Sequence, residues 1–266
     1  MTSLASRLLA VCLVTLVAGC ATGPVIDRTY SSASQDSRAQ FLILHFTWGD
    51  WDSSLKVLTE GPVSSHYLVR DKPVRIYGLV DENRRAWHAG ASWWKGHTHI
   101  NASSIGIEIV NAGNRLAAQG IEWEEYPPEQ IDAVVALVKD IVRRHQIRPD
   151  RILGHSDIAP LRKVDPGPKF PWKRLADEGL IVWPDAARVA ERRAMHEAQL
   201  PDVAWFQAKL GEHGFAIPQT GELDVVTQKV VAAFQMKYRP ARFDGIPDAE
   251  TAALLDVLTA PAEPRR

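Results

Sequence analysis

Between Gly154 and Pro171 the chain reads Gly-His-Ser-Asp-Ile-Ala-Pro-Leu-Arg-Lys-Val-Asp-Pro-Gly-Pro-Lys-Phe-Pro. Pro160, Pro166, Pro168 and Pro171 interrupt it too often for a helix. Asp165 precedes a proline, which biases its backbone toward an extended conformation. In an extended chain residues two apart face the same way, so Lys163 and Asp165 present an ammonium and a carboxylate to one pocket. His155 meets them there if the intervening loop doubles back. Such a set reads as a metal site with a cationic helper. The alternative is a proline-stiffened surface loop with solvated charges, and the rest of the chain decides between them.

At 266 residues the chain has room for one sizeable core and a small second domain. Its net charge of -1 leaves no electrostatic footprint for nucleic acid. The first residues read as targeting: Arg7 precedes an apolar run, Leu8 to Val17, that is too short to span a bilayer. Val17-Ala18-Gly19-Cys20 resembles a bacterial lipobox, with cleavage before Cys20 and a lipid on its thiol. Ala21 follows instead of aspartate, and by resemblance to Gram-negative lipoproteins this implies an outer-membrane protein facing the periplasm. Cys12, the other cysteine of two, leaves with the leader, so the mature chain has no disulfide. Residues 20–38 read as a tether anchored to the membrane by that lipid.

Order begins at Phe41-Leu-Ile-Leu-His-Phe46, a buried strand closed by His45. A helix around Asp52 to Thr59 follows, with Asp52 or Ser53 as cap. Val63–Val69 and Val74–Val80 read as strands around a turn, Ala86–Ala89 as a short strand, and Gly90–Asn101 as a loop. Ser104–Val110 alternates, with Ile105, Ile107 and Ile109 on one face and Gly106, Glu108 and Val110 on the other. Pro128–His145 is an amphipathic helix, Arg151–His155 a further strand, and a short helix starts near Trp172. The fold class is therefore α/β, a mixed sheet flanked by helices. Residues 39–184 form the catalytic part and 185–200 a helical linker. Residues 201–260 form a three-helix module with a half-repeat, Gly221-Glu-Leu-Asp224-Val-Val-Thr227 against Gly245-Ile-Pro-Asp248-Ala-Glu-Thr251. In each copy the aspartate caps a helix.

His45, Glu108 and His155 all lie at or near the ends of apolar strands, where open sheets gather ligand sites. A buried Glu108 needs a role or a partner, so a catalytic carboxylate competes with one paired to an arginine. Gly106 leaves room beside it for a substrate or a bound water. Two histidines and a carboxylate make a three-ligand zinc set with an open fourth position. Among nine histidines several trios are available, and His97 with His99 is a rival pair. His66 and His88 read as packing or hydrogen-bonding residues, and His145, His196 and His213 need no special role. Trp87, His88, Trp93 and Trp94 are candidates to line a groove.

Leu44-His-Phe-Thr47, Val63-Ser-Ser-His-Tyr-Leu-Val69, Ala86-Trp-His-Ala-Gly90, Ser104-Ile-Gly-Ile-Glu108, Gly154-His-Ser-Asp-Ile-Ala-Pro160 and Arg162-Lys-Val-Asp-Pro-Gly-Pro168 together resemble the zinc-dependent N-acetylmuramoyl-L-alanine amidases of the amidase-2 family. The match runs over about residues 38 to 184 with every block in order, and is nearest to the outer-membrane lipoprotein branch. The resemblance implies His45, His155 and Asp165 as zinc ligands, Glu108 as acid/base and Lys163 as transition-state stabiliser. It also implies peptidoglycan or muropeptides as substrate, in wall turnover or recycling; a monomer is the expected state. The tail resembles a type-1 peptidoglycan-binding domain, though Pro247 and Asp248 stand where a Val-Gly pair is usual. Two rivals are a non-catalytic peptidoglycan-recognition protein, which would lack a ligand, and a zinc carboxypeptidase acting on the stem peptide.

Overall fold

The computed structural model describes residues 23–118 and 120–261. The expected leader at residues 1–19 and the expected lipidation site at Cys20 lie outside the described residues. Compact structure begins at Asp36. In chain order the elements are β1 (Phe41–Phe46), α1 (Trp51–Glu60), β2 (Tyr67–Arg70), β3 (Arg75–Gly78), β4 (Trp93–Trp94), β5 (His97–Thr98) and β6 (Ser104–Ile109). There follow β7 (Asn114–Ala117), β8 (Gly120–Trp123), α2 (Pro128–His145), β9 (Ile152–Gly154), α3 (His155–Ile158), α4 (Trp172–Asp177) and α5 (Ala186–Ala198). The chain closes with α6 (Val203–His213), α7 (Val225–Tyr238) and α8 (Ala249–Thr259).

Five strands make the main sheet in the order β3-β2-β6-β1-β9, as the mixed α/β reading expects. β2, β6, β1 and β9 run parallel, and β3 adds an antiparallel edge. Strands buried on both faces read as continuous apolar runs, which is why β1 is buried at all six positions. Alternation divides their side chains between two cores. Leu42, Leu44, Phe46, Ile105, Ile107, Ile109 and Ile152 meet Ile131, Val134, Val135, Val138 and Ile141 on one side of α2. Each such aliphatic side chain contributes about 1.5–3 kcal/mol by leaving water.

Phe41, Ile43 and Leu153 face the other way, into a core shared with Phe206 and Leu210 of α6, Val230 and Phe234 of α7, and Leu255 of α8. The C-terminal helices are thus built onto the sheet and do not hang from a linker. Their half-repeat is a repeat of hydrogen bonds. Gln207 Nε2 donates to Thr227 Oγ1 at 2.8 Å while Gln207 Oε1 accepts from Gly221 N at 2.8 Å. Gln235 repeats the arrangement with Thr251 Oγ1 at 3.0 Å and Gly245 N at 3.0 Å. Asp224 and Asp248 cap α7 and α8 by accepting from Thr227 N and Thr251 N, as the sequence suggested.

Four local expectations need correction. α1 is capped by Asp50, which accepts from Ser53 N, and not by Asp52 or Ser53. Ala86–Ala89 forms no strand, because Asn101 Oδ1 takes the backbone N–H groups of both His88 (3.1 Å) and Ala89 (2.7 Å). Within the expected loop, β4 and β5 pair as a small hairpin. The proline-rich stretch does begin with a single helical turn, α3, since its first proline comes only at Pro160.

Candidate active site

Strand register assembles the site. His45 on β1 lies directly beside Glu108 on β6, and Leu44 beside Gly154 on β9, so His155 emerges next to His45. Parallel strands end at a common edge, and three of them deliver one functional side chain each. Asp165 arrives on the returning loop, where its carbonyl accepts from Ser156 N at 2.9 Å. The loop therefore doubles back onto the start of α3.

His45 Nδ1, His155 Nδ1 and Asp165 Oδ2 form a triangle with edges of 2.9, 3.0 and 3.1 Å. All three residues are buried, and together they could hold a metal ion. Burial, then the neighbouring His155, lowers His45 to about 4, so its ring is neutral at pH 7. Burial raises the Asp165 carboxyl, but the two imidazoles outweigh it and hold the group well below the usual carboxylate range. Neutral imidazole nitrogens and an ionised carboxylate are the forms that bind a divalent cation.

Glu108 sits beside this triangle with its Oε2 buried and without a hydrogen-bond partner. Burial, then Asp165, pushes its carboxyl well above the usual range, while Lys163 pulls the other way. Among the described residues no arginine pairs with it, which leaves the structural alternative without a partner. An orphaned carboxylate oxygen of this kind suits a group that handles a proton. Lys163, Glu108, Trp87, His88 and the triangle line one cleft of about 320 Å³, which continues past Trp48, Val57 and Val63. That size suits a small ligand or one segment of a larger one.

The residues 35–168 match the profile of the amidase-2 family, N-acetylmuramoyl-L-alanine amidase, and 199–255 match that of a peptidoglycan binding domain. N-acetylmuramoyl-L-alanine amidase AmiD of Escherichia coli K12 is 40% identical over 259 residues, which are 91% of this chain and 93% of that protein. The chain belongs to the N-acetylmuramoyl-L-alanine amidase family. A structure of E. coli AmiD, in complex with the substrate anhydro-N-acetylmuramic acid-L-Ala-D-gamma-Glu-L-Lys, resembles this amidase with a TM-score of 0.79 over 88% of the chain and 93% of its own. AmpDh3 of Pseudomonas aeruginosa is 39% identical, with a TM-score of 0.81 over 89% of this chain and 98% of its own. The 1,6-anhydro-N-acetylmuramyl-L-alanine amidase AmpD of Enterobacter cloacae is 37% identical over 113 residues, 42% of this chain and 55% of that protein.

Two expectations about the amidase's cleft change. Trp94 is only 3% exposed and packs against Phe215 of the C-terminal module, with ring centroids 5.3 Å apart, while Trp93 pairs with Thr98 in the β4–β5 hairpin; neither lines this cleft with Trp87 and His88. The space that Gly106 opens is filled by the His88 ring, since a Cβ at 106 would lie 2.5 Å from His88 Cγ. His97 stacks edge-on against Phe41 at 5.2 Å and takes no part in the triangle. Asp157 and Lys237 carry no signal in the sequence pattern. Asp157 Oδ2 accepts from Gly154 N at 2.8 Å and from Lys237 Nζ of α7 at 2.6 Å, tying α3 to the C-terminal module. Lys229 Nζ adds a second tie, to the carbonyl of Leu161 at 3.0 Å. Eighty residues separate Lys237 from Asp157, and no local pattern announces such a pair.

Proposed function

We propose that this amidase hydrolyses the amide between N-acetylmuramic acid and the L-alanine of peptidoglycan stem peptides, with zinc held by His45, His155 and Asp165. The observation that carries the reading is the buried triangle with the unpartnered Glu108 oxygen beside it. Donors at about 2.0–2.2 Å from a tetrahedral zinc stand roughly 3.3 Å apart, and the triangle needs only a slight opening to match. When bound, zinc supplies Lewis acidity toward the scissile carbonyl. Glu108 takes a proton from the attacking water at its carboxylate and returns it to the departing alanine nitrogen. Lys163, which lines the same cleft, stabilises the oxygen that gains negative charge. The half-apolar cleft wall at Trp48, Val57 and Trp87 orients the muropeptide.

Anhydro-muramyl stems are included among the substrates, on the strength of the AmiD complex named above and of AmpDh3 bound to an anhydromuramic pentapeptide. The leader and Cys20 support a lipid-anchored outer-membrane protein that faces the periplasm and serves wall turnover or recycling. Residues 39–184 then hold the chemistry and 201–260 complete its core. Digestion of purified muropeptides with and without a chelator tests the activity. Free stem peptides with peptide-free muramic acid are expected, and only without chelator; removal of a terminal residue from an intact stem would show a carboxypeptidase instead. Labelling of intact cells with and without Cys20→Ala tests the anchor, because the variant should move from the membrane to the soluble fraction.

A further inference from the structure

The Trp87-His88-Ala89 segment has no regular structure, yet two of its atoms meet the outer nitrogens of both triangle histidines. We propose that His88, anchored by Ser104, is a positioning residue that fixes which nitrogen of His45 faces the metal position, and that the Ala89 carbonyl does the same for His155. This rests on the metal reading above and deepens it.

Ser104 Oγ lies 2.7 Å from the carbonyl of Ile100, and a carbonyl only accepts, so the hydroxyl's single proton is committed there. The 3.1 Å contact between Ser104 Oγ and His88 Nε2 must then carry the imidazole's proton. A neutral His88 has one proton, so its Nδ1 is bare and accepts at 3.0 Å from His45 Nε2. His45 is thereby left with a bare Nδ1 pointing into the triangle. His155 Nε2 donates to the Ala89 carbonyl at 3.1 Å, which leaves His155 Nδ1 bare as well. Arg162 also donates to that carbonyl, through its Nη2. Two lone pairs and a carboxylate oxygen then converge at about 3 Å, an arrangement that a cation relieves.

The segment is built for this. Asn101 Oδ1 takes both the His88 and Ala89 N–H groups, so one side chain sets the height of both partners. Gly106 leaves the room that the His88 ring occupies. Outer partners of metal-bound imidazoles typically change metal affinity by about 10–100-fold. His88 as mere packing predicts no such effect.

The test has two readouts. Nitrogen-15 NMR of the zinc-free wild-type protein reads the tautomers, with His45 and His88 both expected to carry their proton on Nε2. Chelator competition then reads zinc affinity. His88→Leu, which fills the space without hydrogen bonds, and Ser104→Ala, which deletes one oxygen, are expected to bind zinc about 10–100-fold more weakly. His88→Gln, whose amide can accept from His45 and donate to Ser104, should stay nearer to wild type. Where His88→Leu fails to fold, Ser104→Ala carries the comparison. A wild-type His45 protonated on Nδ1, or unchanged affinity in the folded variants, overturns the positioning role. A wild-type protein that binds no zinc overturns the metal reading itself, and the two failures are distinct.

Discussion

Lys237→Met is the perturbation that most severely tests how the C-terminal helices support the site. Lys237 Nζ lies 2.6 Å from Asp157 Oδ2, with the two side chains 5% and 2% exposed. The substitution keeps most of the apolar stem, and therefore the packing, but removes the charge. Asp157 retains one donor, Gly154 N at 2.8 Å. Breaking a buried pair from one side destabilises by about 3–5 kcal/mol, because the remaining charge stays out of water. The ammonium also sits 4.3 Å from the centre of the Trp172 ring, a contact worth up to about 2 kcal/mol when desolvated. The surviving Gly154 bond and local relaxation pull the net toward the lower end, about 3 kcal/mol. That is a large part of the roughly 5–15 kcal/mol by which domains are stable. Urea unfolding of the whole chain measures it as a lower midpoint at unchanged slope. The double variant Lys237→Met with Asp157→Asn leaves no buried charge and should recover part of the loss. A single variant within about 0.5 kcal/mol of wild type would refute the buried tie.

Other outcomes follow from packing and charge. Gly106→Ala places a methyl 2.5 Å from His88 Cγ; a stability loss of about 1–3 kcal/mol is expected in urea, with weaker zinc binding if the ring is displaced. His213 lies among the rings of Trp94, Phe215, Phe234 and Tyr238, although part of the residue reaches the surface. Burial, then Lys237 and Lys95, lowers it to about 3 from the usual 6.5. The unfolded chain then binds the extra proton between those values, so this contribution is complete above about pH 6.5 and declines as pH falls toward 3. Melting curves from pH 7 to 4 should fall more steeply for wild type than for His213→Gln, and parallel curves would contradict the assignment.

Much of this was legible because it rests on local periodicity. The alternation at Ile105, Ile107 and Ile109 and the spacing along Pro128–His145 follow from burial of one face, and both elements form where the pattern places them. His45, Glu108 and His155 were found because polar residues at the ends of apolar strands are conspicuous. What was not legible depends on approach between distant segments. Neither the filling of the space over Gly106 by His88 nor the burial of Trp94 against His213 and Phe215 has a local cause. The capture of Ala86–Ala89 by Asn101 overrode a plausible strand because one amide oxygen satisfied two backbone donors. The C-terminal half-repeat is visible in its aspartates and threonines, whereas the glutamines that lock it, Gln207 and Gln235, lie ahead of the repeated motif and carry no local signal.

Glu108 is proposed to move protons beside a zinc that other residues hold. Zinc content and stem-peptide release, measured together on Glu108→Gln with an anhydro-muropeptide, separate those roles. The expected result is one zinc per chain, as in wild type, with release slowed by about 100-fold or more. Release at the wild-type rate by the zinc-loaded variant would contradict it.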